Sequence, residues 1–359
     1  MDFGLSEEQE ILQRTVAQFL ENECPLARVR ELYDADQPYD PGVWKGLCEL
    51  GVAGLLVPEQ HGGAGLGMVD LALVAETLGC AAFPGPFLGH ALASVALLAG
   101  GSGAQQERWL PRLASGEALG SVALGEAGGA WEPEAWTPTL DGDAVSGSKT
   151  WLPGAAGADL LVVGAAGGEL VLVERDAPGV ALRPVESLDR TRRLDDLVLE
   201  RAPCERLPGG PAAAARVRDA GLVLLAADAF GGASRLLELS VAYAKTREQF
   251  GVTIAHFQAV KHKLADMAVE VEPARGLFWY AAYAWDALPQ ESARAAALAK
   301  AHVTERFMQV ARDAVEIHGG IGFTWECDVQ FWFKRAVFDR AFLGQPAHHQ
   351  ERAAALAGW

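Results

Sequence analysis

The strongest constraint on how this chain folds lies in residues 242–258, the stretch AYAKTREQFGVTIAHFQ. Upstream, Leu236, Leu237, Val241 and Ala244 recur at helical spacing; downstream, Leu264, Met267 and Val271 do the same. Gly251 stands between the two periodic runs, where the chain must turn. The pattern predicts the end of one helix, a tight turn and the start of another. Between them sits a polar knot of Arg247, Gln249, Phe250, Gly251 and Gln258. A plain helical hairpin needs only the glycine and some solvated charge, so Arg247 alone reads equally as a surface charge and Phe250 as core. A second glycine-rich helix end, HGGIGFTWECD at residues 318–328, accompanies it.

With 359 residues, the chain can bury a large core divided among two or three domains. Its net charge of −17, from 30 basic and 47 acidic residues, argues against a nucleic-acid or anionic-membrane partner, since phosphate surfaces attract clustered Lys and Arg. The five cysteines, Cys24, Cys48, Cys80, Cys204 and Cys327, are scattered and form no CxxC or Cys/His cluster. No metal site is expected, and a reduced, cytoplasmic protein is the simplest account. No basic segment followed by an apolar run marks a signal peptide, and no run of 18 apolar residues marks a membrane span.

Ser6-Glu-Glu-Gln9 is a capping box ahead of the stripe Ile11, Leu12, Val16, Phe19 and Leu20. A helix is predicted after Pro41, carrying Val43, Trp44, Leu47 and Leu50. Gly62, Gly63, Gly65 and Gly67 read as a loop before a helix at 71–78, because a dinucleotide fingerprint would need a βαβ unit around them. Helices are predicted at 91–99 and 105–114. Between Gly120 and Pro208 the composition shifts to short β-prone runs, 122–124, 160–163, 170–173 and 197–199, separated by Gly, Pro and Asp. Helical periodicity resumes over 216–245, 258–284 and 292–318, with a shorter terminal helix, as in an antiparallel bundle. The expected architecture is mainly α with a β domain: an N-terminal helical domain (1–117), a middle β-barrel-like domain (118–208) and a C-terminal four-helix bundle (209–359).

TREQFG, then HFQAVKHKLADM, then EIHGGIGFTWE, together with MDFGLSEEQEILQ at the start, resemble the acyl-CoA dehydrogenase family along nearly the whole chain. The resemblance implies that fold, FAD as cofactor, and α,β-dehydrogenation of an acyl-CoA thioester. In the family, the Arg-x-x-Phe-Gly element and the Gln that follows hold the pyrophosphate and adenine half of a flavin bound mainly by the neighbouring subunit. Here those positions are Arg247, Phe250 and Gln258, joined by Gly319 and Gly320 and by Glu316, which replaces a usual Gln. The chemistry agrees: a guanidinium grips phosphate oxygens bidentately, and a Gly-Gly backbone can approach a phosphate closely. Trp151, in Gly147-Ser-Lys149-Thr-Trp151-Leu-Pro153, matches the residue that covers the flavin ring, although it reads equally as an ordinary strand aromatic.

Elsewhere the sequence departs from the family. Relatives carry a catalytic Glu in a Tyr-Glu-Gly-Thr turn; here Ala341-Phe-Leu-Gly-Gln-Pro puts Leu343 in its place, beside Gly344. A second family position for the base falls on Gly221. Asp219 lies two residues from Gly221 but on a different helical face, and Glu316 and Glu326 read equally as helix-end charges. Gly125-Glu-Ala-Gly-Gly-Ala-Trp131 lacks the family's Ser-Asp pair, Pro153 replaces a hydroxyl residue, and the QPAHHQ tail lacks further flavin contacts. The elements a subunit lends to a neighbour's flavin are kept, and those serving its own are degraded. The resemblance thus implies a non-catalytic partner that joins a paralogous subunit in an α2β2 heterotetramer, as in bacterial steroid side-chain degradation. The alternatives are an active homo-oligomer with an unusual base such as Glu316 or Asp219, and a flavin-free scaffold sharing the fold.

Overall fold

The computed structural model describes residues 4–37 and 39–359; residues 1–3, which open the stretch MDFGLSEEQEILQ, and residue 38 lie outside the described residues. In chain order come α1 (Glu7–Glu23), α2 (Leu26–Asp34), α3 (Pro41–Glu49), α4 (Met68–Cys80), α5 (Phe87–Gly100) and α6 (Gly103–Ala114). The strands β1 (Gly120–Ala123), β2 (Thr139–Asp141), β3 (Ala144–Pro153), β4 (Leu160–Ala165), β5 (Glu169–Glu174), β6 (Val180–Val185), β7 (Leu194–Pro203) and β8 (Glu205–Arg206) follow. Then come α7 (Gly210–Thr246), the hairpin strands β9 (Glu248–Gln249) and β10 (Val252–Thr253), and α8 (Gln258–Val271), α9 (Ala274–Ala287), α10 (Pro289–His318), α11 (Val329–Ala341) and α12 (Pro346–Leu356).

The predicted capping box starts α1: Ser6 Oγ accepts from Gln9 N–H at 3.2 Å and Gln9 Oε1 accepts from Ser6 N–H at 3.1 Å. Ser102 and Gln105 make the same reciprocal pair at the start of α6, at 2.9 and 3.3 Å. Asp40 caps α3, accepting from the Gly42 and Val43 amides, with Pro41 in the first turn, where its missing N–H leaves no bond unmade.

The chain divides into two units. One comprises Arg30–Leu71 and Pro84–Gly221. Its strands form two four-stranded sheets, ordered β1-β4-β5-β8 and β2-β3-β7-β6, antiparallel except for the β1–β4 pair. The two sheets share one core containing Val145, Leu152, Leu161, Val163, Val171, Val173, Leu197 and Leu199. β4 is buried at every position, which is why it reads as the unbroken apolar run LLVVGA. Gly63 is packed rather than open: a Cβ there would stand 2.1 Å from the Val57 carbonyl oxygen, so this glycine serves close backbone packing.

The other unit comprises Met1–Val29, Ala72–Phe83 and Leu222–Trp359. Here α4 and α7 meet backbone to backbone. A Cβ on Gly79 would lie 2.1 Å from the Asp228 carbonyl oxygen, and one on Gly231 1.9 Å from that of Glu76, so both positions require glycine. Arg335 of α11 fastens the crossing. It makes a bidentate bond to Asp228 at 2.8 and 2.7 Å and donates to the Phe83 carbonyl at 3.0 Å, while Trp332 Nε1 donates to Gly79 O. Both charges are buried, a setting in which the fork geometry of Arg satisfies several acceptors at once.

Two segments differ from the sequence expectation. The helix predicted over 258–284 is two helices, α8 and α9, because Pro273 has no N–H to continue the first and its ring would clash with the preceding turn. α7 is long and apolar enough to span a membrane by length and composition, yet 83 % of its apolar window is buried inside the protein, which makes it a core helix.

Candidate functional site

In the second unit, α7 ends by running into the β9–β10 hairpin. The Arg247 amide donates to Tyr243 O, and the Arg247 carbonyl accepts from Ile254 N–H, both at 2.8 Å, so Arg247 closes the base of the hairpin with its backbone. The strands pair Gln249 with Val252 and Glu248 with Thr253, leaving Phe250 and Gly251 as a two-residue loop. Both have positive φ, +56° and +77°, the signature of a type I′ turn. Such a turn favours Asn-Gly; a Phe in the first position is strained, and here its ring is 92 % exposed. Arg247 is also exposed, and among the described residues its guanidinium has no hydrogen-bond or ion-pair partner. Gln258, the first residue of α8, is exposed and lies 3.4 Å from His262 Nε2.

α10 brings the glycine pair into the same unit. His318 donates from Nδ1 to Ala314 O at 2.7 Å and stacks on Tyr243 at 4.3 Å between centroids, joining the end of α10 to the end of α7. Gly319 ends α10 with φ +65° and ψ −141°. A Cβ on Gly319 or Gly320 would meet nothing within 4 Å, whereas one on Gly322 would stand 2.6 Å from Val315 O. Internal packing therefore demands glycine at Gly322 but leaves the faces of Gly319 and Gly320 open. Phe323 beside them is 83 % exposed. Lys263 of α8 bonds Asp313 at 2.9 Å and Glu316 at 2.7 Å, so the Glu316 carboxylate is engaged by a lysine and helps fix α8 against α10. An unpaired guanidinium, open glycine backbone and protruding aromatics suit an anionic ligand that also carries a flat ring. Tyr243, His318 and Lys263 went unnoticed in the sequence, though Tyr243 stands one helical turn before Arg247 and His318 directly precedes the glycines.

At the base positions there is no carboxylate. Leu343 is 1 % exposed, with φ +57°. Its carbonyl accepts from His349 Nε2 at 2.8 Å. Lys300 Nζ, fully buried, donates to the carbonyls of Asp339, Arg340 and Gly344 at 2.6, 3.1 and 3.2 Å. Burial pulls the Lys300 pKa down to about 7, but three carbonyl acceptors match the three hydrogens of an ammonium and hold the charged form. Burial likewise drives His349 to about 3, so its ring is neutral.

In the first unit, Gly221 is buried within α7, and Asp219, also buried, binds Arg218 Nε at 3.1 Å. Lys149 and Glu126 form a buried ion pair at 2.7 Å; Glu126 also accepts from the Thr137 amide and hydroxyl, and Lys149 lies over the Trp136 ring. Burial lowers the Lys149 pKa to about 8, with Glu126 opposing the shift. Trp151 is half-buried with φ +59°, and Trp131 packs against it at 5.5 Å between centroids. Pro153 offers only its carbonyl, which accepts from Ser121 Oγ at 2.7 Å. Among the described residues no group of His, Cys, Asp and Glu could hold a metal ion.

The family model for the acyl-CoA dehydrogenase N-terminal domain matches residues 6–117, and that for the C-terminal domain matches residues 213–355. Acyl-CoA dehydrogenase IpdE2 of Mycolicibacterium smegmatis is 37 % identical over 97 % of this chain and 98 % of its own length. The structure of a variant of the Tcur3481-Tcur3483 steroid acyl-CoA dehydrogenase superposes with a TM-score of 0.92 at 32 % identity, covering 98 % of both chains. The ChsE4-ChsE5 complex of Mycobacterium tuberculosis gives 0.90 at 27 % identity, covering 100 % of this chain and 99 % of the other.

Proposed function

The chain belongs to the acyl-CoA dehydrogenase family, and from that premise we propose that it is the non-catalytic partner subunit of a heteromeric acyl-CoA dehydrogenase, completing the FAD site of a paralogous chain. Members of the family bind FAD and act on CH–CH bonds of acyl-CoA thioesters. The donor set in the second unit fits the phosphate-bearing half of that cofactor: Arg247 for the pyrophosphate, the open Gly319–Gly320 backbone, Gln258 as a polar donor, and Phe250 as an apolar cover. The observation that carries the reading is a contrast within one unit. Arg247 stands exposed with no hydrogen-bond or ion-pair partner among the described residues and Phe250 is 92 % exposed, while Leu343 at the base position is buried and locked.

A bound flavin supplies hydride acceptance from the substrate β-carbon. This chain's residues would bind and orient the cofactor and exclude water. The carboxylate that removes the α-proton comes from the partner, because Leu343 and Gly221 cannot take a proton. Glu316 and Asp219 are each engaged by a cation in this chain, which weighs against an unusual base here. The substrate of the complex is an acyl-CoA, and the likeness to a steroid acyl-CoA dehydrogenase favours a steroid side-chain thioester. The two-component relatives support a paralogous partner.

The test is flavin absorbance per chain, for the protein alone and after co-expression with a paralogous acyl-CoA dehydrogenase. Little flavin alone and roughly one per two chains in a symmetric mixed complex is the expected result. Arg247→Ala should lower flavin content in the complex at least several-fold without dissociating it. Unchanged occupancy would remove Arg247 from the assigned role, and one flavin per chain in the lone protein would overturn the partner reading.

A further inference from the structure

Trp151 sits at an irregular step in the β3–β7 pairing, between Lys149 and Leu152. Its left-handed backbone is of a kind that costs roughly 1–3 kcal/mol and persists only where the surroundings hold it. Its neighbour Thr150 forms an isolated bridge with Gly125, donating to the Gly125 carbonyl at 3.0 Å. Trp131 touches both places. Its indole lies 5.5 Å from that of Trp151 with 32° between the planes. A Cβ on Gly125 would stand 2.9 and 3.0 Å from Cζ3 and Cη2 of the same ring. Glycine at this position thus admits the Thr150 carbonyl, 2.6 Å from such a Cβ, and leaves room for Trp131 as well.

The loop delivering Trp131 is short and anchored. The Glu126 amide donates to Ala130 O at 2.9 Å and the Gly129 amide to Glu126 O at 3.0 Å. Gly128 and Gly129 supply the positive φ values, +89° and +87°, that this tight turn needs. The Glu126 side chain is fixed below by Lys149 and Thr137. A flat ring inserted between the two indoles would need about 7 Å, twice a carbon–carbon contact of about 3.5 Å. The observed separation leaves no such space.

We propose that Trp131 is a built-in plug: it covers Trp151 and Gly125 with the chain's own indole, so this β domain takes no isoalloxazine ring. The inference rests on the reading above in one respect, that Trp151 is where a flavin ring would lie. It gives that reading a physical cause, since a subunit with its own ring seat filled can engage FAD only through the face it lends.

Riboflavin is the suitable probe, because it carries the ring without the phosphates and adenine that Arg247 would engage. The lone protein would be titrated into riboflavin while quenching of flavin fluorescence is followed. Wild type and Trp131→Phe are expected to leave the fluorescence unchanged. Trp131→Ala should bind roughly tenfold tighter or more, at least about 1.4 kcal/mol. A Trp131→Ala protein that melts like wild type yet binds no better would overturn the plug. If that variant does not fold, the near-ultraviolet circular dichroism couplet of the paired indoles in wild type decides. A couplet unchanged by excess riboflavin supports the plug, and its loss overturns it. FAD content reports on the partner-subunit reading separately, so the two can fail independently.

Discussion

Phe250 combines a backbone conformation unfavourable for a bulky residue with a ring 92 % exposed to solvent. Its contact within the chain is an edge-on approach to Phe257 at 6.0 Å. Strain without internal compensation is expected where a side chain serves an external ligand. Phe250→Asn, which suits the first position of a type I′ turn, should therefore stabilise the isolated chain by about 0.5–1 kcal/mol and reduce flavin retention in the mixed complex. Urea unfolding and flavin absorbance check the two halves, and a loss of stability would show that the Phe257 contact holds the turn. Glu76 carries a different residue-scale consequence. It accepts from Gln13 at 3.0 Å and lies 3.5 Å from Arg275, yet burial lifts its pKa from 4.5 to about 7. The folded state keeps a proton that the unfolded chain releases, so this stabilisation is full below about pH 4.5 and lost as pH rises through about 7. Glu76→Gln should flatten that dependence and raise stability at pH 8 by roughly 1–3 kcal/mol, measured by chemical denaturation across pH.

At the scale of elements, the turn between α11 and α12 is held by side chains distant in sequence. Lys300 of α10 caps the end of α11 with three bonds to carbonyls, and the buried Asp339 carboxylate offsets its charge. Lys300→Met should destabilise the chain by about 2–4 kcal/mol, because it leaves three buried carbonyl acceptors unmet. A loss under about 1 kcal/mol in urea would show that Lys300 is dispensable to the turn. This turn also marks where sequence reasoning stopped. The substitution at Leu343 was plain in the motif, but its left-handed backbone and the His349 and Lys300 contacts depend on partners that no local pattern encodes. The same holds for Trp131 against Trp151. By contrast, the capping box at Ser6, the helices flanking residue 251 and the apolar strand β4 were legible, because periodicity and turn chemistry act over a few residues. The capping box at Ser102 and the break at Pro273 were equally local signals, available to a closer reading.

At the scale of the molecule, the chain has the acyl-CoA dehydrogenase fold, with Leu343 and Gly221 where the family's base is expected. In one unit, buried pairs such as Arg335–Asp228 and close crossings such as Gly79 against α7 maintain a rigid helical body. That body displays Arg247, Phe250, Gly319 and Gly320 and carries Leu343, not a carboxylate, at its base position. On the proposed reading, such a chain would be complete as a folded object and would need a paralogous subunit for catalysis. Its exposed aromatics, Phe250 and Phe323, are the kind of surface the proposed partner would cover.

The β9–β10 hairpin has a further consequence, for the fate of a chain that finds no partner. It is a two-rung ladder flanked by exposed Lys245 and Arg247 and tipped by exposed Phe250. These are the residues at which trypsin and chymotrypsin cut, on a protruding loop of the kind proteases enter first. Limited trypsin digestion should nick the lone protein after Lys245 or Arg247 while the mixed complex resists, as read by the sizes of the two fragments. The segment proposed to complete a neighbour's site would then also mark unassembled copies for cleavage.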